Sequence, residues 1–167
     1  VGGILWFGTD DAATSYLTPI YTSITKVPEC FREGNGDLLH YSATSSFWMN
    51  NRISNACYKM YNIMAPYVRE RADAFEMDQI YRKTHSVDSA AVVMYNEVVV
   101  KMQKKLSSKG DVMISRTPFE KVIKYVTDYS VKTAQNQFAA WSKLEEELLV
   151  KFMDGNVKPQ NEDGSFK

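Results

Sequence analysis

The sequence predicts an α+β fold, in which a β-rich stretch of about forty residues precedes a helical remainder. Residues 4–7, ILWF, form a continuous apolar run of the kind found in strands. Residues 16–27 are rich in Thr, Ile, Tyr and Val, which favour extended structure. Beyond residue 45, apolar residues recur at spacings of three and four, as on one face of a helix. We therefore expect a few strands followed by three to four mostly antiparallel helices.

The first strand, residues 4–7, is expected to be buried on both faces because its apolar run is uninterrupted. Two or three strands make a poor sheet by themselves, so this strand needs further neighbours. The sequence starts at Val1 without an initiator methionine or a signal-peptide pattern. We expect a fragment whose missing strands lie upstream.

The loop after this strand, GTDDAATS at residues 8–15, contains small residues, hydroxyls and two adjacent carboxylates. Small residues allow a ligand to approach the backbone, and fixed polar groups orient it. Asp10, Asp11, Thr14 and Ser15 are therefore candidates for substrate binding. The alternative is a turn in which the aspartates accept hydrogen bonds from local N–H groups. The sequence leaves both interpretations open.

The extended segment at residues 16–27 contains Pro19, which interrupts it or places it at a sheet edge, and Pro28 ends it. The residues GNGD at 34–37 give the strongest turn signal in the chain. A short extended stretch is expected at residues 38–41.

A long helix is predicted from about residue 47 to residue 81, with Ser45 or Ser46 as its N-cap and a kink at Pro66. Its apolar stripe is expected to belong to the core: Ile53, Cys57, Met60, Tyr61, Met64 and Val68. Arg52, near the helix start, is a further candidate, because its planar fork can bind a substrate carboxylate. It could equally be a solvated surface arginine.

Two more helical regions complete the predicted domain, residues 1–155, which is β-rich at 1–44 and helical at 45–155. One is capped by Ser86 or Asp88 and is followed by an exposed linker at 107–116. The other starts at TPFE, residues 117–120, which combines a capping box with proline at the first helical position. Asp128 is expected to cap a separate or bent helix, and Gly155 to stop it. Residues 156–167 form a polar tail that is expected to fray.

Composition argues against several classes of partner. Lys plus Arg and Asp plus Glu both number 20, so the net charge is zero and nucleic acid is not expected as a partner. No apolar run approaches the roughly 20 residues of a membrane-spanning helix. Two cysteines and two histidines lack metal-ligand spacing, so neither a metal nor another cofactor is expected. Cellular location and homo-oligomerisation are left open.

Four stretches together are similar to one family. WFGTDDAATS at 6–15 with PIY at 19–21, and YSATSSFW at 41–48 with Asn51 and Arg52, resemble the C-terminal half of a cysteine dipeptidase. SVKTAQ at 130–135, followed by Trp141 and Leu144, and LVKFMDGNV at 149–157 resemble the end of the same family. These are the dipeptidase A type enzymes of the N-terminal-nucleophile (Ntn) hydrolase class. The resemblance implies an αββα sandwich of which this chain forms the C-terminal part.

The resemblance also implies a mechanism. A cysteine at the mature N-terminus attacks the peptide carbonyl, its free α-amine serves as general base, and water hydrolyses the acyl-enzyme. Val1 has no nucleophilic side chain, and neither Cys30 nor Cys57 stands at a chain start. No catalytic residue is therefore assigned in this chain. The expected partners are a dipeptide substrate and the missing N-terminal part of the same protein, without which the fragment is inactive.

Two other functions are considered. A stand-alone helical interaction module would account for the aromatic and methionine-rich helices, since exposed patches of this kind contact partners. A buried strand at residues 4–7 would be needless in such a module. A self-contained hydrolase would combine Ser15 or Cys30 with His40 or His85, but no motif spacing supports it.

Overall fold

The computed structural model describes residues 2–109 and 117–166 and has the predicted α+β architecture. The strands are β1, Ile4–Phe7, and β2, Thr18–Tyr21. The helices are α1, Ser46–Cys57; α2, Tyr61–Ala74; α3, Arg82–Lys109; and α4, Glu120–Lys151. A π-helical segment, Phe75–Tyr81, joins α2 to α3, and 3₁₀ turns occur at Glu29–Phe31, Thr117–Phe119 and Met153–Gly155.

The two strands form an antiparallel hairpin in which Ile4 pairs with Tyr21 and Phe7 with Thr18. The predicted strand at residues 4–7 is confirmed, but its predicted burial is wrong. Leu5, Trp6 and Phe7 are 53%, 37% and 36% exposed. In the part of the chain that the structure describes, β1 pairs only with β2, and α4 packs against β2. The outer edge and much of the surface of β1 are consequently uncovered.

The rest of the predicted β-rich region is mostly turns. The extended segment at 16–27 shortens to the four residues of β2, and residues 38–41 form bends without a strand. Pro19 lies within β2, opposite Trp6, where a strand with a single partner strand tolerates its missing N–H.

The main hydrophobic core lies between α1, α2 and α4 and includes Tyr16, which lies two residues before β2. Its buried members are Tyr16, Met49, Ile53, Cys57, Met64, Val68, Ala72, Trp141, Leu144, Leu148 and Phe152. The predicted stripe therefore forms a core face at Ile53, Cys57, Met64 and Val68, but its prediction is wrong for Tyr61, which is 45% exposed. A smaller cluster joins β2 to α3 and α4 through Tyr21, Ala91, Val122 and Val126.

The predicted helix at residues 47–81 is interrupted, although not at Pro66. The break lies at residues 58–60, where Met60 has φ −143° and ψ 53°, outside the helical region. Pro66 lies inside α2. Because proline has no N–H, the carbonyl of Asn62 lacks its usual intrahelical hydrogen bond there. Buried residues of both α1 and α2 nevertheless pack in one cluster with Trp141, Leu144 and Leu148 of α4.

The predicted start of the next helix at Ser86 or Asp88 is wrong. α3 begins at Arg82 and follows the π-helical segment without interruption, so both residues lie inside it. A helix that continues from a preceding turn has its first N–H groups satisfied and needs no cap. Of the predicted linker, residues 107–109 belong to α3, whereas 110–116 lie outside the described residues.

The last helix begins where the capping-box motif predicts, with a 3₁₀ turn leading into α4 at Glu120. Asp128 neither caps nor bends a helix, because α4 continues unbroken to Lys151. Gly155 has φ 75°, but it follows the helix end by several residues. Residues 156–166 fold back, with the Lys158 N–H donating to the Lys151 carbonyl at 2.8 Å and a bridge between Gln160 and Phe166.

Candidate functional site

The polar loop, residues 8–15, connects β1 to β2 and packs against α1. Asp10 has φ 65°, a left-handed conformation that is uncommon for a residue other than glycine. Its Oδ1 accepts a hydrogen bond from Asn51 Nδ2 at 3.1 Å, and its Oδ2 accepts one from Ser54 Oγ at 2.8 Å. The carboxylate is exposed and is fixed by two donors of one helix face. This fixes the orientation of the loop relative to α1.

Asp11 organises the turn that follows. Its Oδ1 accepts from the Ala13 N–H at 2.9 Å, and its carbonyl accepts from the N–H groups of Thr14 and Ser15 at 3.2 and 2.9 Å. Its Oδ2 lies 3.4 Å from the hydroxyl of Tyr58, which donates to it. The negative charge of Asp11 raises the pKa of the Tyr58 hydroxyl. One oxygen of the Asp11 carboxylate thus stabilises the turn, and the other accepts a hydrogen bond from Tyr58 at the end of α1.

Thr14 and Ser15, the last two residues of the loop, are both buried. The carbonyl of Ser15 accepts a hydrogen bond from Arg69 Nη1 at 3.2 Å. Thr14 Oγ1 has no hydrogen-bond partner among the residues that the structure describes. The structure therefore brings all four predicted loop residues together, with the carboxylates at its surface and the hydroxyls beneath.

A buried polar network at the start of α1 was missed by the sequence analysis. Ser46 Oγ lies 3.3 Å from Thr9 Oγ1 and 3.2 Å from the Tyr16 hydroxyl, and Asn50 Nδ2 donates to Thr9 Oγ1 at 2.8 Å. Within the described residues, Asn50 Oδ1 has no partner. Burial raises the pKa of the Tyr16 hydroxyl, which stays protonated. The available signal was the spacing of Ser46 and Asn50, which places both on one helix face.

Arg52, the fifth candidate, does not contact the loop. Its Nε and Nη2 donate to the two oxygens of Glu145 on α4, at 2.5 and 2.8 Å, and its Nη1 donates to the Tyr41 hydroxyl at 3.0 Å. The hydrogen bond to Glu145 raises the pKa of the Arg52 guanidinium. The fork that would receive a substrate carboxylate is occupied by a carboxylate of the chain itself.

The two cysteines and His40 lie outside the polar loop. Cys30 and Cys57 are free and buried, and burial raises the pKa of each thiol to about 11. His40 is exposed, with Nδ1 at 2.9 Å from Asp37 Oδ1. Across residues 2–109 and 117–166 no group of three or more His, Cys, Asp and Glu side chains is placed to hold a metal ion. Within the same residues, no helix has the length and apolar character of a membrane span.

Comparison with known proteins identifies a peptidase pattern in the N-terminal part of the chain. Residues 1–74 match the sequence model of peptidase family C69. This span contains both strands, the polar loop, α1 and α2, so it includes all five candidate residues. The match confirms the resemblance to a peptidase family over these residues. None of the curated proteins and none of the solved structures compared matches the chain.

Proposed function

We propose that the chain is part of a cysteine dipeptidase whose nucleophile is an N-terminal cysteine outside this chain, and that the chain alone does not hydrolyse peptides. In this reaction the thiol adds to the peptide carbonyl, its proton passes through the free α-amine to the leaving amine, and water then releases the acyl group. The observation that carries the proposal is the match of residues 1–74 to peptidase family C69.

The environment of the two cysteines supports placing the nucleophile elsewhere. A catalytic thiol is activated by a lowered pKa and by access to substrate. Cys30 and Cys57 have neither, because both are buried and the pKa of each thiol is raised to about 11. At neutral pH only about one thiol in ten thousand would be ionised at such a pKa.

We further propose that the polar loop binds the charged α-amine of the dipeptide. The adjacent carboxylates of Asp10 and Asp11 give the loop a local negative charge, and Asp10 keeps a strained left-handed backbone. Strain of this kind is concentrated at sites where function requires a fixed geometry. In this proposal Thr14 and Ser15 support the loop from below, and Arg52 holds α1 against α4 instead of contacting substrate.

The test uses the intact enzyme that contains this chain and compares two aspartates that both organise turns. Asp11→Asn and Asp37→Asn each remove one charge, and in both residues the Oδ1 accepts a hydrogen bond from the N–H two residues later. We expect Asp11→Asn to lower kcat/KM for a dipeptide by about tenfold or more, from the loss of one charge-assisted contact. Asp37→Asn should leave it within about twofold. Unchanged kcat/KM in Asp11→Asn and Asp11→Ala would contradict the role of the loop.

The alternative function is a stand-alone interaction module, and one observation favours it: Leu5, Trp6 and Phe7 are exposed on β1, whose outer edge no other described strand pairs with. Intact-mass measurement of the native protein together with a dipeptide-hydrolysis assay separates the two. A native product of this length without hydrolytic activity would favour the module. A longer product with an N-terminal cysteine and activity would favour the dipeptidase.

A further inference from the structure

A groove of about 690 Å³ runs between α4 and the segment that joins α2 to α3. We call it the α3–α4 groove. Its apolar lining is formed by Phe75, Ile80, Val87, Tyr129, Ala139 and Ala140. Phe75 and Ile80 belong to the π-helical segment, where the wider turn changes the direction of side chains relative to a regular helix. None of the five candidate site residues lines this groove.

The charged residues that line the groove itself are all lysines. Lys83, Lys132 and Lys143 line it, and no carboxylate does among the lining side chains that the structure describes. Lys132 and Lys143 are exposed, and neither has an ion pair or hydrogen bond with another described residue. In a chain whose net charge is zero, this concentration of positive charge beside apolar surface is a local feature.

The positions of the lysines select the shape of a ligand. Lys132 and Lys143 are both on α4, and the rise of an α-helix separates their Cα atoms by roughly 16 Å. A ligand with carboxylates spaced along its length can contact both side chains without drawing them together. An extended peptide of about five residues spans this distance, since each residue adds roughly 3.3 Å.

We propose that the α3–α4 groove binds an extended acidic peptide segment, with apolar side chains against the groove floor and carboxylates on Lys132 and Lys143. The proposal is independent of the dipeptidase reaction, since the groove is lined by α3, α4 and the π-helical segment rather than by the polar loop.

An adjoining cavity of about 390 Å³ extends the groove toward α2 and shares Phe75, Ala140 and Lys143 with it. The ion pair of Arg71 with Glu147 also lines this cavity, so the positive charge is confined to the groove itself. Trp141 also lines this cavity, and its buried indole N–H has no partner among the described residues. A buried donor without an acceptor is unusual in a folded protein.

The test measures binding of labelled peptides to the intact protein by fluorescence anisotropy. The probe is an acetylated and amidated peptide of about seven residues with alternating glutamate and leucine, and its control replaces every glutamate by glutamine. We expect the glutamate peptide to bind at least about fivefold more tightly, with affinity falling as salt is raised from about 0.05 to 0.5 M. The double variant Lys132→Glu/Lys143→Glu should weaken its binding about tenfold.

The matched control is Lys59→Glu/Lys121→Glu, which makes the same charge change on two exposed lysines outside the groove. It should alter binding by less than about threefold. Ala139→Trp, which fills the groove from an exposed position, should also weaken binding. Equal binding of the two peptides, equal effects of the two double variants, or tighter binding of a single-headed amphiphile such as dodecanoate than of the glutamate peptide would overturn the proposal.

Discussion

Arg52 and Glu145 form a two-point ion pair that joins α1 to α4. The nitrogen to oxygen distances are 2.5 and 2.8 Å, and the side chains are only 29% and 22% exposed. The parallel hydrogen bonds of a guanidinium and a carboxylate fix geometry as well as charge. The pair therefore acts as a positional constraint between the helix that carries the polar loop's donors and the longest helix of the fold.

Glu145→Gln should destabilise the chain by about 1–3 kcal/mol, because it leaves the partly buried Arg52 guanidinium without its counter-charge. Urea unfolding at neutral pH measures the change. The control is Asp128→Asn, which removes the exposed Lys124–Asp128 pair on the same helix, where the side chains are 74% and 63% exposed. That variant should change stability by less than about 0.5 kcal/mol. Equal effects of the two substitutions would contradict a special role for the α1–α4 pair.

A second link to α4 is buried and uncharged. The Thr18 hydroxyl donates to Gln137 Oε1 at 2.6 Å, and Gln137 Nε2 donates to the Leu17 carbonyl at 2.8 Å. Gln137→Ala leaves both partners unsatisfied and opens a cavity, so we expect a loss of about 2–4 kcal/mol in unfolding free energy.

Gln135→Ala is the matched control, since Gln135 is an exposed glutamine on the same helix. It should lie within about 0.5 kcal/mol of the unchanged chain in the same urea titration. If the two alanine variants unfold at the same midpoint, the hairpin does not depend on this contact.

Two glycines of one turn should respond differently to alanine. Gly34 and Gly36 have φ 81° and 83°, so a Cβ is strained at both. At Gly34 nothing lies within 4 Å of an added Cβ, whereas at Gly36 it would lie 3.0 Å from Ser42 Cβ and from Trp48 Cδ1. Gly34→Ala should therefore destabilise by about 1 kcal/mol and Gly36→Ala by about 1 kcal/mol more. Thermal unfolding of both variants measures the difference, and a larger loss at Gly34 would contradict it.

Local patterns predicted those elements whose causes are local. The capping-box motif at residues 117–120 located the start of α4, and the apolar stripe predicted the core positions of α1, α2 and α4. The break at residues 58–60 carries no glycine or proline, so the sequence analysis predicted one continuous helix across it. The sequence analysis missed that the π-helical segment continues directly into α3. Ser86 and Asp88 are residue types that cap helices, but a cap is needed only where the preceding residues are not helical.

The sequence predicted only that part of the candidate site whose residues are neighbours in the chain. The loop residues were found because small, hydroxyl and carboxylate residues are adjacent in sequence at residues 8–15. Arg52 was singled out by its neighbours in sequence, but its contacts are with Glu145 and Tyr41, which only the tertiary fold brings near. The burial of β1 depends on which other elements pack against it, and an apolar run of residues carries no information about those elements.

The two thiols provide a pH-dependent test of the proposal that neither is the nucleophile. The pKa of each is raised from 9.0 to about 11 by burial, so the folded state disfavours the thiolate. Their contribution to stability is complete below about pH 9 and is lost as the pH rises toward 11. Cys57→Ala should therefore reduce the dependence of unfolding free energy on pH between these values.

The same shift predicts slow alkylation of the folded chain. At pH 8, iodoacetamide should modify Cys30 and Cys57 at least about a hundredfold more slowly than in urea, because the thiolate is both scarce and covered. Mass spectrometry with time measures both rates, and the urea-unfolded chain is the control. Rapid modification of either cysteine in the folded chain would mean that an activated thiol lies within it. The proposal of a nucleophile outside the chain would then lose the support that it takes from the burial of the two thiols.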